Sequence, residues 1–114
     1  MIVDDDPEMR NLLKDFFEVI GYEVLSLGDA RDALSRIEAE SFSVVITDYS
    51  MPDLDGIEFT RRAREMSPSL PIIGISATSN ERNFIGAGAD HFLSKPFDLK
   101  RLQSIVETRL KKRI

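Results

Sequence analysis

The sequence predicts an α/β fold in three layers, a five-stranded parallel sheet doubly wound with helices on both faces. Three observations carry this. Short apolar runs rich in β-branched residues recur at positions 1–3, 22–27, 42–47, 70–75 and 90–94. Amphipathic segments with apolar residues three and four apart separate them, and such alternation of strand and helix requires a parallel sheet with right-handed crossovers. No internal repeat or low-complexity tract interrupts the pattern, and 114 residues suit a single domain, 1–114, that buries about two-thirds of its unfolded surface.

Met1-Ile2-Val3 is the first strand and runs into Asp4-Asp5-Asp6. Pro7 suits the first helical position after an Asp6 cap. Met9, Leu12, Leu13, Phe16, Phe17 and Ile20 then give one apolar face, and Gly21 stops the helix. After the second strand, Gly28-Asp29 turns into a helix with Ala30, Ala33, Leu34 and Ile37 inward. The third strand delivers Asp48 into the loop Tyr49-Ser50-Met51-Pro52-Asp53-Leu54-Asp55, in which Asp53 and Asp55 read as a solvated turn. A helix over 56–66 follows, with Phe59, Ala63 and Met66 inward, broken by Ser67-Pro68-Ser69. The fourth strand leads through Ser76-Ala77-Thr78-Ser79 to a weak helix over 81–87, where Gly86 and Gly88 lower the propensity. Beyond the fifth strand, Lys95-Pro96 interrupts the backbone and Asp98 caps a last helix with Leu99, Leu102, Ile105, Val106 and Leu110 inward.

The chain has no cysteine, so a disulfide framework or thiolate metal site is excluded, and the composition suits a reducing cytoplasm. No apolar run has the length of a membrane span or the form of a signal peptide. A net charge of -5 without a basic stripe argues against direct nucleic-acid binding. The one cationic concentration, Arg109-Leu110-Lys111-Lys112-Arg113, reads as charge complementing a helix C-terminus.

In open α/β sheets the ligand crevice lies outside the carboxyl ends of the strands. At those ends stand Asp4 and Asp5, Asp48, Ser76 and Lys95. Three carboxylates about 5 Å apart repel by roughly 3 kcal/mol per pair at an effective dielectric of about 20. Lys95 cancels one charge and a divalent ion would cancel the rest. Oxygen ligands with no His or Cys nearby favour Mg²⁺ or Mn²⁺ over zinc. A metal, a lysine and a hydroxyl around a solvent-facing carboxylate suit phosphoryl transfer, with Asp48 the nucleophile and an aspartyl phosphate the product.

Val3-Asp4-Asp5-Asp6-Pro7, Asp48 with Met51-Pro52 and Gly56, Ser76-Ala77 and Lys95-Pro96-Phe97 stand in order along the chain. Together they resemble the receiver domain of two-component response regulators over essentially the whole length. The resemblance implies a flavodoxin-like strand order 2-1-3-4-5. It implies a signalling phosphoacceptor rather than an enzyme: Asp48 would take a phosphoryl group from a sensor histidine kinase or phosphotransfer protein. Asp5, Asp48 and the main-chain carbonyl of Ser50 would bind Mg²⁺, with Asp4 acting mostly through water. Lys95 would contact the phosphoryl oxygens and Ser76 would move to meet them. Phe92 matches the aromatic switch position, whose ring turns inward when Ser76 moves, and the Lys95-Pro96 bond is often cis in that family. The weak helix, fifth strand and last helix would then form the face for an output domain or a second copy.

The same residues admit other readings. Asp4-Asp5-Asp6 could be capping carboxylates and Ser76 a turn hydroxyl, readings that lose ground once Asp48 and Lys95 fall in register. A calcium loop at Asp53-Leu54-Asp55-Gly56 fails, because Met51 and Arg62 would occupy ligand positions. A haloacid-dehalogenase-type phosphatase fits Asp4 and Asp6 but meets Glu8 where Thr or Val belongs. A receiver-like binding module that is never phosphorylated is the remaining alternative. His91 is read as a structural or surface residue rather than a catalytic one, and Phe92 could be plain strand packing.

Overall fold

The computed structural model describes residues 1–111, in which strands and helices alternate without exception: β1 (Ile2–Val3), α1 (Pro7–Val19), β2 (Ser26–Leu27), α2 (Ala30–Ala39), β3 (Val45–Asp48), α3 (Gly56–Met66), β4 (Ile72–Ser76), α4 (Glu81–Ala87), β5 (His91–Ser94) and α5 (Leu99–Lys111). Aspartates start most of the helices. Asp6, Asp29 and Asp55 each accept a hydrogen bond from an amide of the first turn, and Asp98 accepts from Lys100 N at 2.9 Å. These contacts satisfy donors that the first turn leaves orphaned.

The strands are all parallel in the order β2-β1-β3-β4-β5, as the resemblance implies. Alternation along each strand sends consecutive residues to opposite faces. Val3, Val45 and Ile72 join Ala33, Leu34, Phe59, Ala63 and Phe84 in the core beneath α2, α3 and α4. Ile2, Ile46, Ile73 and Ile75 join Leu13, Phe17, Leu102 and Val106 in a second core beneath α1 and α5. Both faces are covered, which explains the near-continuous apolar strands.

Several expected boundaries move. Only Ser26–Leu27 of the second run enters the sheet. Its partner β1 is itself two residues long, so the apolar stretch before it has nothing to pair with beyond the bond from Ile2 N to Leu25 O. The third and fourth strands begin later and end later than expected, so Asp48 and Ser76 are the last residues of their strands. Leu12, Ile20 and Met66, expected inward, are 49%, 38% and 46% exposed. Leu12 lies on the flank of α1, Ile20 is its C-cap, and Met66 ends α3 beside Ile37 and Leu70 at the base of the sheet.

The turn after β3 is not merely solvated: Leu54 is buried and Asp55 caps α3. Arg109 does not serve the end of its own helix, since its guanidinium reaches Asp90 at 3.0 Å; Lys112 and Arg113 lie outside the described residues. The Lys95-Pro96 bond is cis. No helix among the described residues is long and apolar enough to cross a membrane.

Candidate functional site

Parallel register brings the strand ends level. Val3 lies beside Thr47, Asp48 beside Ile75 and Ser76 beside Ser94. The residues that leave these ends, Asp4, Asp5, Asp48, Ser76 and Lys95, therefore share one rim of the sheet. Asp4 and Asp48 are buried, Asp5 is exposed, and one carboxylate oxygen from each lies within 4.8 Å of the others. Among the described residues no other acidic or imidazole trio gathers its ligand atoms so closely.

The Lys95 ammonium stands 3.0 Å from Asp48 Oδ1 and 3.8 Å from Asp4 Oδ2. One cation faces three carboxylates, and the Asp4 carboxyl responds accordingly. Burial pushes its pKa up; the Asp6 amide, donating at 2.9 Å, pulls it back, while Asp48 raises it, Lys95 lowers it and Asp5 raises it. The donor set fits Mg²⁺ or Mn²⁺. It is all oxygen, and ligands on opposite sides of one Mg²⁺ stand about 4.2 Å apart, close to the spread of this trio.

Local structure holds the acids in place. Asp48 O accepts from buried Thr47 Oγ1 at 2.9 Å, and Gly56 N donates to Tyr49 O at 2.8 Å, which closes the loop back on its strand. That closure needs glycine, because a Cβ on Gly56 would sit 2.0 Å from Asp48 O. Arg10 on α1 donates from Nη1 to Asp4 O at 2.8 Å and fills the space over Gly28, so it ties β1 to the β2–α2 corner.

Ser76 is 2% exposed, and its Oγ lies 3.0 Å from Thr78 Oγ1 while accepting from Thr78 N at 3.1 Å. Phe92 is half-buried, its ring 5.6 Å from that of Phe84. Ser50 lies exposed two residues past Asp48. His91 opens β5 beside Ile73, at the far side of the sheet from the carboxyl ends of the strands.

The structure thus brings Asp4, Asp5, Asp48 and Lys95 into contact range, with Ser76 on the same rim. Sequence reasoning missed Arg10, and it missed Tyr49 and Phe84, which pack on one another at 6.4 Å. A cation one turn into the helix after an acidic pair, and an aromatic directly after Asp48, were the available signals.

Comparison with known proteins agrees with this geometry. The family model described as response regulator receiver domain matches residues 1–107. The response regulator receiver protein CpdR of Brucella abortus is 35% identical over 113 residues, covering 96% of this chain and 94% of that protein. The sensor protein EvgS of Escherichia coli K12 is 38% identical over 107 residues, 91% of this chain but only 9% of that protein. The chain thus spans about a tenth of the length of the sensor proteins it matches. The receiver domain of Francisella response regulator 1452 superposes with a TM-score of 0.92 at 30% identity, covering 99% of this chain and 96% of that one. Five parallel strands in this order, acids and a lysine at their carboxyl ends and a family match along nearly the whole length have one conclusion: the chain belongs to the response regulator receiver domain family.

Proposed function

We propose that residues 1–114 act as one phosphorylation-controlled signalling domain of the cytoplasm, with Asp48 as phosphoacceptor. The observation that supports this best is the Lys95 ammonium 3.0 Å from a carboxylate that is 7% exposed, inside a trio of acids. An Asp48 oxygen attacks the phosphorus of a phosphohistidine on a sensor kinase or phosphotransfer protein. The O–P bond forms as the N–P bond breaks, and the imidazole leaves with the electron pair and picks up a proton.

Asp4, Asp5 and Asp48, with the Ser50 main-chain carbonyl, are the residues that would hold Mg²⁺. When bound, the ion neutralises charge on the transferring oxygens. Lys95 meets the phosphoryl oxygens from the β5 side. Ser76 gives up its bond with Thr78 to donate to the new group, and Phe92 turns inward into the space this opens. The added phosphate brings about one further negative charge and three acceptor oxygens to the rim. The face formed by α4, β5 and α5 is what an output domain or a second copy would read.

Incubation with phosphoramidate and Mg²⁺ followed by intact-mass measurement tests the reading. A gain of one phosphoryl, absent with EDTA and absent in Asp48→Asn, is expected. Wild-type protein that never gains mass would leave a binding module in its place.

A further inference from the structure

Helix α4 is fastened to the body of the protein mainly by one ring. Its seven residues bury only Phe84 and Ala87. Phe84 is wholly buried and lies directly on the backbone of β4, where a Cβ on Gly74 would come within 2.5 Å of its Cδ1. Gly74 is flanked in the sheet by Thr47 of β3 and Phe92 of β5. Phe84 therefore sits across the strand that separates the acceptor strand from the switch aromatic.

Both neighbours send a ring to it. Phe92 approaches from β5 at 5.6 Å with the planes tilted by 42°. Tyr49, bonded directly to Asp48, approaches from the β3 side at 6.4 Å and 74°, an edge-to-face arrangement. Aromatic pairs of this geometry attract beyond their buried area, since the positive edge of one ring faces the negative face of the other. Phe84 is held between the ring next in sequence to the acceptor and the ring of the switch aromatic itself.

We infer that Tyr49, Phe84 and Phe92 form an aromatic relay in which Tyr49 is a positioning residue that holds α4 in its resting arrangement. This gives the acceptor strand a route to α4 that does not pass through Ser76. The inference rests on the phosphoacceptor reading above and adds to it a second input. The main chain of Tyr49 joins Asp48 to Ser50, but in this scheme its ring holds neither the phosphoryl oxygens nor the metal, and it acts only through Phe84. Removing its ring costs the resting arrangement one edge-to-face pair, which raises the activated population of α4 by about two- to tenfold before any phosphorylation.

The test compares Tyr49→Leu, which keeps apolar bulk without a ring, with Tyr49→Phe, which keeps the ring. Amide resonances of α4, including Ile85 and Gly86, are recorded with and without beryllofluoride and Mg²⁺ to define resting and activated endpoints. Tyr49→Leu without beryllofluoride is expected to move along the line joining those endpoints, Tyr49→Phe to coincide with wild type, and the displacement to survive in a Ser76→Ala background. The relay is overturned if Tyr49→Leu stays at the resting endpoint, if Tyr49→Phe moves as far, or if Ser76→Ala removes the displacement. Intact mass after phosphoramidate treatment separates the two ideas. Uptake by wild type with no response to Tyr49→Leu sinks the relay alone, whereas failure of wild type to take up phosphoryl sinks the phosphoacceptor reading and the relay with it.

Discussion

Arg64 is the residue whose removal the fold should feel most on its periphery. From α3 its guanidinium donates to Gly88 O at 3.0 and 2.7 Å, to Leu70 O at 2.6 Å, to Asp90 Oδ2 at 3.0 Å and to the more exposed Pro68 O at 2.9 Å, with a longer bond to Ser67 O at 3.3 Å. Hydrogen bonds involving a charged group contribute about 1.5–3 kcal/mol each. The side chain is 22% exposed, which screens the ion pair, and the freed carbonyls can take up water. The Gly88, Leu70 and Asp90 contacts at the low end come to about 4.5 kcal/mol, and this screening and rehydration reduce the expected cost of Arg64→Ala to about 3–4 kcal/mol. For a chain of this length that lowers the melting temperature by about 10–15 °C. Arg64→Lys keeps the charge but loses the planar fork, so it should recover no more than half of the loss. Urea and thermal unfolding followed by circular dichroism give both numbers. A cost under about 1 kcal/mol for the alanine variant, or full recovery by lysine, would refute the reasoning.

Three further outcomes are expected. Burial lowers the pKa of the Met1 amine from 8.0 to about 6. In a polypeptide with that free amine the unfolded chain holds the extra proton between those values, so stability rises by about 2–3 kcal/mol from pH 6 to 8 and is lost again on acidification. N-terminal acetylation should flatten that slope in pH-dependent urea titrations. Gly86→Ala places a methyl in open space inside α4 and should stabilise the protein by about 1 kcal/mol, read as a raised denaturation midpoint. Gly56→Ala drives a Cβ into the Asp48 carbonyl, so a folded variant should bind Mn²⁺ weakly by paramagnetic relaxation and lose phosphoryl uptake by mass.

The helices were legible because their signals are local. Asp6 and Asp98 cap where expected, and Ala30, Ala33, Leu34 and Ile37 are all buried. The ends of strands toward the site were legible to within a residue, since polar and turn-forming residues follow at once. The beginnings of β2, β3 and β4 were not, because residues such as Tyr22 and Val24 look like strand but find no strand to pair with. Apolar periodicity overstated the inward face of α1 and α3, as Leu12 and Met66 illustrate, because a helix presents more apolar surface than its neighbours cover. At the site, Asp4, Asp5, Asp48 and Lys95 were legible because each leaves a strand at the same end. Arg10, Arg64 and Arg109 were not: an arginine on a helix reads as solvated until its carbonyl or carboxylate partner, distant in sequence, is known.

The sheet divides the interior into two apolar compartments with separate memberships. Substitutions without shared neighbours combine additively, so a change at Leu13 and one at Phe59 should sum to within about 0.5 kcal/mol. Drift among the packing residues of one layer then places little demand on the other. Such a body can be retuned for a new upstream or downstream acquaintance one side at a time, while the rim of acids between the layers stays as it is.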